Sequence, residues 1–273
     1  MQSSLFWIVD AFVGTLGPRE LRGNPAAVVV LREFPPAAQL QEWANEFNLS
    51  ETAFVVPLGD GSFDLRWMTP QVEVDLCGHA TLAATAALLD AGQLAVGETA
   101  RFHTRSGELK SLAGRNNRPA LDFPIQTVEE CAMPAELRAA LRMNDAHPWF
   151  CGRASDDWLV GVTPRELAEA SPDFAALAKF EARGVILTAL PEGKAEAADF
   201  YSRFFAPRIG IGEDPVTGSA HTKLASFWAA RLGKTKMNAV QLSKRGGRLQ
   251  LELRGERVAM AGKCRIRAHG QLR

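Results

Sequence analysis

Two stretches of the chain are rich in small and apolar residues, and each predicts a helix. Residues 80–89 read Ala-Thr-Leu-Ala-Ala-Thr-Ala-Ala-Leu-Leu. A helix that starts near His79 and runs to about Asp90 would therefore have almost no polar face, which is typical of a helix surrounded by protein. A second small-residue helix is predicted at about residues 219–231, with Gly233 in place to end it.

Most other apolar runs are short and rich in β-branched or aromatic residues, which favours strands. Helical spacing recurs at residues 37–47, 134–143 and 172–183, and residues 14–23 are predicted to form a loop. Strands are predicted at residues 5–13, 26–31, 52–56, 62–68, 99–104, 108–113, 120–123, 149–151, 158–162, 184–189, 200–205, 237–243, 248–254, 257–261 and 264–268.

The order of these elements repeats, which indicates a duplicated domain. Arg66-Trp67-Met68-Thr69-Pro70 matches Arg203-Phe204-Phe205-Ala206-Pro207 in residue type, and each run leads through a loop to a glycine at a helix start, Gly78 or Gly218. The best linker lies at residues 124–134. The sequence therefore predicts an α+β fold of two pseudo-symmetric lobes, residues 1–124 and 125–273, and leaves open that the last strand packs back on the first lobe.

Bulk composition excludes several classes of function. Lys and Arg together number 31, as do Asp and Glu, so no basic surface for nucleic acid is expected. The four cysteines form no Cys-x-x-Cys pair, which argues against a zinc site or a disulfide framework. No run resembles a transmembrane helix or a signal peptide, so we expect a cytoplasmic protein without membrane partners. His103, His147 and His269 have no motif around them and are predicted to be surface or packing residues.

The loops before the two small-residue helices carry the candidate chemistry. If the lobes face each other, both helix N-termini point into one cleft, where backbone N–H groups and helix dipoles favour a small carboxylate- or phosphate-bearing ligand. Carboxylates, a thiol, hydroxyls and an imidazole in one cleft would support proton transfer at carbon. No metal ligand spacing is present. The loops supply Asp75, Cys77, His79, Glu213, Asp214, Thr217 and Ser219.

Four ordered motifs carry a resemblance that spans essentially the whole chain. Gly23-Asn24-Pro25-Ala26, Asn48-Leu49-Ser50-Glu51-Thr52-Ala53-Phe54, Asp75-Leu76-Cys77-Gly78-His79-Ala80-Thr81 and Gly212-Glu213-Asp214-Pro215-Val216-Thr217-Gly218-Ser219 resemble the phenazine-biosynthesis PhzF-like family. That family is similar in fold to diaminopimelate epimerase. The resemblance implies two lobes, each a curved, mostly antiparallel sheet wrapped around a central buried helix, with the active site between them. It also implies a homodimer.

The resemblance assigns roles to individual residues. The residues alone predict that Glu51 is a solvated side chain. The family's catalytic glutamate, however, lies in the matching segment, so the resemblance implies that Glu51 is the general base and acid. His79 and Asp214 are expected to be catalytic in the same way. Substrate binding is expected of Gly78, Gly218, Ser219, Asp75 and Thr217.

The expected activity is that of an isomerase that needs no cofactor and shifts a proton on a small unsaturated or cyclic carboxylic acid substrate. Two alternatives stay open: an epimerase or racemase of an amino or hydroxy acid, and a non-catalytic protein that binds small acids. Cys77 lies where related epimerases hold one of two catalytic thiols, but residues 214–221 contain no second thiol. Two-thiol racemisation is therefore disfavoured, and Cys77 is either a reactive thiol or a small buried residue at a helix start.

Overall fold

A computed structural model describes residues 4–143, 148–193 and 198–272 of the chain. The described residues fall into two compact units, drawn from the ranges Met1–Gly14, Arg22–Asp122 and Ala259–Arg273 for the first, and Thr15–Leu21 and Phe123–Val258 for the second. The first unit contains both ends of the chain because β1 (Ser4–Leu16) pairs antiparallel with the last strand, β19 (Lys263–Leu272).

The first unit is a mixed sheet with two helices. Besides β1 and β19, its elements are β3 (Asn24–Val30), α1 (Ala37–Phe47), β4 (Glu51–Pro57), β5 (Ser62–Met68), β6 (Glu73–Val74), α2 (Gly78–Asp90), β7 (Thr99–Thr104), β8 (Gly107–Leu112) and β9 (Ala120–Pro124). Antiparallel pairing dominates, but β3 pairs parallel with β4, and β5 pairs parallel with β7. Helix α2 packs against the sheet with every residue from His79 to Leu88 buried, as its lack of a polar face predicted.

The second unit is also a mixed sheet with a long central helix. The elements of this unit are β2 (Arg19–Leu21), β10 (Glu129–Glu130), α3 (Ala135–Ala140), β11 (Phe150–Ala154), β12 (Asp157–Gly161), α4 (Pro164–Glu169), α5 (Phe174–Lys179), β13 (Gly184–Ala189), β14 (Phe200–Ala206), a 3₁₀ turn (Pro207–Ile209), β15 (Ile211–Glu213), α6 (Gly218–Leu232), β16 (Lys236–Gln241) and β17 (Gly247–Arg254). Strand β18 (Arg257–Ala261) begins in this unit and ends in the first. Helix α6 ends where Gly233 adopts the left-handed conformation, with φ 64°, as the sequence predicted.

The two units repeat one topology. In the first, parallel strands β3 and β4 are followed by antiparallel β5, short β6, buried α2, and β7, which returns parallel to β5. In the second, β12, β13, β14, β15, α6 and β16 follow in the same order with the same strand directions. The predicted α+β class is therefore confirmed.

The repeated arginine has the same role in both units. The Arg66 guanidinium donates to both carboxylate oxygens of Glu73, at 2.7 and 2.8 Å. Arg203 donates to both carboxylate oxygens of Glu213, at 2.6 and 3.1 Å. Each pair links a central strand to the short strand that precedes the buried helix, so bidentate geometry fixes the start of that loop.

One local prediction was wrong, and one helix was missed. Residues 14–23 are not a loop: β1 continues to Leu16, Gly17 turns the chain with φ 54°, and β2 follows. Strand β2 pairs with β1 across this turn, and Leu21 is fully buried. The sequence reading also missed α4, although Thr163 and Glu166 form a complete capping box at its start.

No helix within the described residues has the length and apolar character needed to cross a membrane.

Candidate active site

Glu51 is placed by the start of β4. Strands β3 and β4 run parallel, so the N-terminal ends of both strands lie side by side. The Ser50 hydroxyl donates to the side-chain oxygen of Asn24 at 3.2 Å, and Asn24 is fully buried. Gly23 has φ 68°, and a Cβ atom there would lie 2.1 Å from the carbonyl oxygen of Ala11. The motifs that contain Asn24 and Glu51 therefore meet at the N-terminal ends of these strands. Only glycine fits at position 23, where the chain approaches β1 closely.

The third motif, residues 75–81, brings an imidazole and a thiol close to Glu51. His79 is the second residue of α2, and its side chain is 7% exposed. His79 Nε2 lies 3.2 Å from Glu51 Oε2, and His79 Nδ1 lies 3.4 Å from Cys77 Sγ. Cys77 is the N-cap residue of α2, its side chain makes no capping hydrogen bond to the helix backbone, and its carbonyl oxygen accepts from the Thr81 hydroxyl at 2.6 Å. The structure thus brings Glu51, His79 and Cys77 into one cluster.

His79 is neutral near pH 7. Burial lowers the pKa of His79 to about 4, against a smaller opposing effect of the Pro25 backbone. The contact with Glu51 is therefore between a carboxyl group and a neutral imidazole. A neutral imidazole donates from one nitrogen and accepts at the other. The structure therefore places an uncharged imidazole between the Cys77 thiol and the Glu51 carboxyl group.

The same three residues have the donor composition of a metal site. One carboxylate oxygen, one thiol sulfur and one imidazole nitrogen lie within 4.8 Å of one another. However, Glu51 faces one ring nitrogen of His79 and Cys77 faces the other. A single ion can bind only one of these nitrogens, so the three side chains do not converge on one point as the ligands of a single ion do.

The remaining predicted residues of the first unit differ in position. Gly78 is the half-buried first residue of α2, so its N–H has no partner from within the helix. Asp75 is outside the cluster: its carboxylate is 76% exposed and lies 3.9 Å from Arg105.

In the second unit, Asp214 and Thr217 belong to a loop that a buried glutamine holds. The Thr217 hydroxyl donates to Asp214 Oδ2 at 2.5 Å. The Gln241 side chain accepts from the Thr217 N–H at 2.9 Å and donates to the Asp214 carbonyl oxygen at 2.7 Å. Gln241 is fully buried. The sequence reading gave no signal for Gln241, because it lies on β16, well after the loop it supports.

Ser219 and Gly218 begin α6. Gly218 is the buried first residue and Ser219 is half-buried. The Ser219 hydroxyl accepts from the Arg183 guanidinium at 3.2 Å. Arg183 was also missed, because no motif surrounds it and the contact spans 36 residues.

The other histidines divide by burial. His221 is buried in the second unit, 2.7 Å from the Thr217 carbonyl oxygen, and burial lowers the pKa of His221 to about 4. His103 and His269 are exposed, as the sequence predicted, and His147 lies outside the described residues.

Comparison with known proteins identifies the family. A family model described as phenazine biosynthesis-like protein (PhzC-PhzF) matches residues 9–270. The chain belongs to the PhzF-like family. Its relatives include an uncharacterized isomerase of Pseudomonas aeruginosa, which is 47% identical over 97% of this chain and 96% of that protein.

Solved structures of the PhzF-like family share the whole fold. The crystal structure of a PhzF-family phenazine biosynthesis protein of Enterococcus faecalis is 39% identical and covers all of both chains with a TM-score of 0.89. A hydroxyproline epimerase of Agrobacterium vitis, at 13% identity, covers 100% of this chain and 91% of its own with a TM-score of 0.64, so it shares the fold alone. The predicted family and the class of isomerase are confirmed.

Proposed function

We propose that this PhzF-like protein is a cofactor-independent isomerase that moves a proton on a small unsaturated or cyclic carboxylic acid. The contact between Glu51 and His79 is the observation that carries the proposal. It places a carboxyl group and a neutral imidazole side by side in a largely buried position, which suits general acid–base catalysis. The relatives' isomerase class supports the same reaction type.

In the proposed reaction, the Glu51 carboxylate removes a proton from a carbon next to the substrate's carboxylate or double bond. The electron pair moves into the unsaturated system, and Glu51 returns the proton to a different carbon. The reaction needs no oxidant and no net proton. The neutral imidazole of His79, with Nε2 3.2 Å from Glu51 Oε2, would help to orient the Glu51 carboxyl group towards the substrate.

The other expected roles are part of the same proposal. Asp214 would assist proton transfer, and Gly78, Gly218, Ser219, Thr217 and Asp75 would bind the substrate. Of these, Asp75 has the weakest support, because its carboxylate is exposed and faces Arg105.

A second candidate is an epimerase that inverts one carbon of an amino or hydroxy acid. The position of Cys77 Sγ 3.4 Å from His79 Nδ1 favours it, because it places a thiol, which could act as a second base, in the same cluster as Glu51. This candidate requires the thiol, whereas the isomerase requires only Glu51 and His79.

Hydrogen exchange with solvent tests the proposal. Small unsaturated, cyclic and α-amino carboxylic acids are incubated with the protein in D₂O, and deuterium incorporation is followed by NMR. We expect Glu51→Gln to lower the exchange rate by at least about a hundredfold, the usual contribution of a general base. Glu46→Gln, which changes an exposed glutamate on α1, is the matched control and should exchange at the wild-type rate.

The products and a thiol variant separate the candidates. A displaced double bond, with activity kept in Cys77→Ser, supports the isomerase. Inversion of one carbon, lost in Cys77→Ser, supports the epimerase. Saturable binding without any exchange would indicate a binding protein. Exchange by Glu51→Gln at the wild-type rate would refute the assignment of the base.

A further inference from the structure

Arg183 makes a contact that fixes the direction of one hydrogen bond. It comes directly before β13, and its Nη2 donates to Ser219 Oγ at 3.2 Å. A guanidinium only donates, so the Ser219 oxygen must accept. The hydrogen of the Ser219 hydroxyl is then left for another acceptor, and no acceptor among the described residues is paired with it. Ser219 is therefore arranged as a donor at the start of α6.

Buried charges hold Arg183 in this position. Asp157 is fully buried and accepts from both Arg183 Nη2 and Lys223 Nζ, the latter at 2.9 Å. Asp156 lies 3.2 Å from Arg183 Nε, and the guanidinium carbon lies 5.3 Å from the ring centre of Phe204. Two carboxylates balance the two cations. Arg183 therefore orients Ser219 rather than supplying a net positive charge.

The repeated topology places this contact where the first unit has its acid–base pair. In the first unit, the start of β4 contacts the second residue of α2 through Glu51 and His79. The matching position on β13 is Gly184, where a Cβ atom would lie 2.2 Å from the Phe204 ring. A glutamate does not fit there, and the preceding residue, Arg183, reaches the second residue of α6 instead.

We propose that Arg183 is a positioning residue that fixes the Ser219 hydroxyl as a hydrogen-bond donor to a carboxylate oxygen of the substrate. The inference rests on the proposed function only in taking a small carboxylic acid as the ligand. It assigns recognition of that acid group to a pair in the second unit that is distinct from the Glu51–His79 pair.

A double-mutant cycle on ligand binding tests this role. The full chain carries Glu51→Gln to prevent turnover, and calorimetry measures binding of each carboxylic acid of the exchange panel and of its primary amide. We expect Arg183→Met to raise the Kd for the acids about tenfold, the ratio for about 1.4 kcal/mol, and to change binding of the amides much less. In the Ser219→Ala background, Arg183→Met should have no further effect.

Two variants and the exchange assay keep the outcomes distinct. Arg165→Met removes an exposed arginine of the same unit and should leave binding unchanged. If Arg183→Met unfolds, Arg183→Lys, which keeps a charge beside Asp157, takes its place, with a smaller expected loss. Additive effects of the Arg183 and Ser219 changes, equal losses for acids and amides, or no binding of any acid would overturn the inference. Non-additive binding losses without exchange in the wild type would support it and overturn only the isomerase.

Discussion

Replacing Asp157 by Asn is expected to destabilise the protein more than replacing Lys223 by Met. Asp157 is fully buried and Lys223 is 2% exposed, with 2.9 Å between the carboxylate oxygen and the ammonium nitrogen. Asp157 has a second cationic partner, because Arg183 donates to the same oxygen. Lys223, by contrast, is paired with one carboxylate among the described residues, that of Asp157. The two variants therefore leave different charges behind.

The magnitudes follow from what each variant leaves unpaired. At 2.9 Å and an effective dielectric constant of about 20, the attraction of the pair is roughly 6 kcal/mol. It offsets a desolvation cost of several kcal/mol for each ion. Asp157→Asn leaves a buried ammonium group without its carboxylate and should cost about 3–5 kcal/mol. Lys223→Met leaves Asp157 with Arg183 and should cost about 1–3 kcal/mol.

Urea denaturation followed by far-UV circular dichroism measures both changes, with the wild-type slope as a check that unfolding keeps the same cooperativity. The double variant, Asp157→Asn with Lys223→Met, removes both charges and should be more stable than the sum of the single losses predicts. Arg165→Met, which breaks the exposed pair with Glu169, is the control and should change stability by less than about 0.5 kcal/mol.

The relative size of the two losses in stability tests whether Arg183 compensates the charge of Asp157. A loss for Lys223→Met equal to or larger than that for Asp157→Asn would show that Arg183 does not compensate Asp157. Additive losses in the double variant would show that Asp157 and Lys223 do not interact in the folded protein.

Two further predictions concern pH and backbone geometry. His79 and His221 have folded-state pKa values of about 4, below the usual 6.5, so the unfolded state binds more protons between these values. The stabilisation from the two neutral histidines should therefore be complete above about pH 6.5 and decrease as the pH falls towards 4, by about 2 kcal/mol per histidine at pH 5. The urea midpoint of His221→Gln should fall less between pH 7 and pH 5 than that of the wild type. An equal fall would contradict the lowered pKa of His221. Gly23→Ala should lower the free energy of unfolding by more than about 3 kcal/mol, because the new Cβ atom would clash with the Ala11 carbonyl oxygen. Gly17→Ala, also at positive φ but with open space around it, should lower it by only about 1–2 kcal/mol. Equal decreases in melting temperature for the two variants would contradict this reasoning.

Elements whose stability is local were well predicted from the sequence. Helix α1 has the predicted bounds, and α2 and α6 were predicted to within about a residue, because an all-round apolar pattern and a terminal glycine are properties of neighbouring residues. The wrong loop at residues 14–23 shows the limit. Strand β2 has only three residues and pairs with β1 directly across the turn at Gly17, so the stretch is too short to show a strand pattern of its own.

The candidate site could be predicted only in part. The glycine loops before α2 and α6 were predicted from the sequence to be anion-binding helix starts, which stays a prediction, and the resemblance added Glu51. No spacing rule indicated that Glu51 meets His79, because the contact depends on how β4 and α2 pack. Arg183, Asp157, Lys223 and Gln241 gave no signal for the same reason.

The sequence by itself determined the α+β class, the repeated order of elements, the two buried helices and the family. These follow from residue type, periodicity and ordered motifs. The tertiary structure decided which side chains touch: Glu51 with His79, His79 with Cys77, and Arg183 with Ser219 and Asp157. The physical reason is that hydrogen-bond geometry and desolvation depend on distances between residues far apart in the chain, which a linear pattern does not contain.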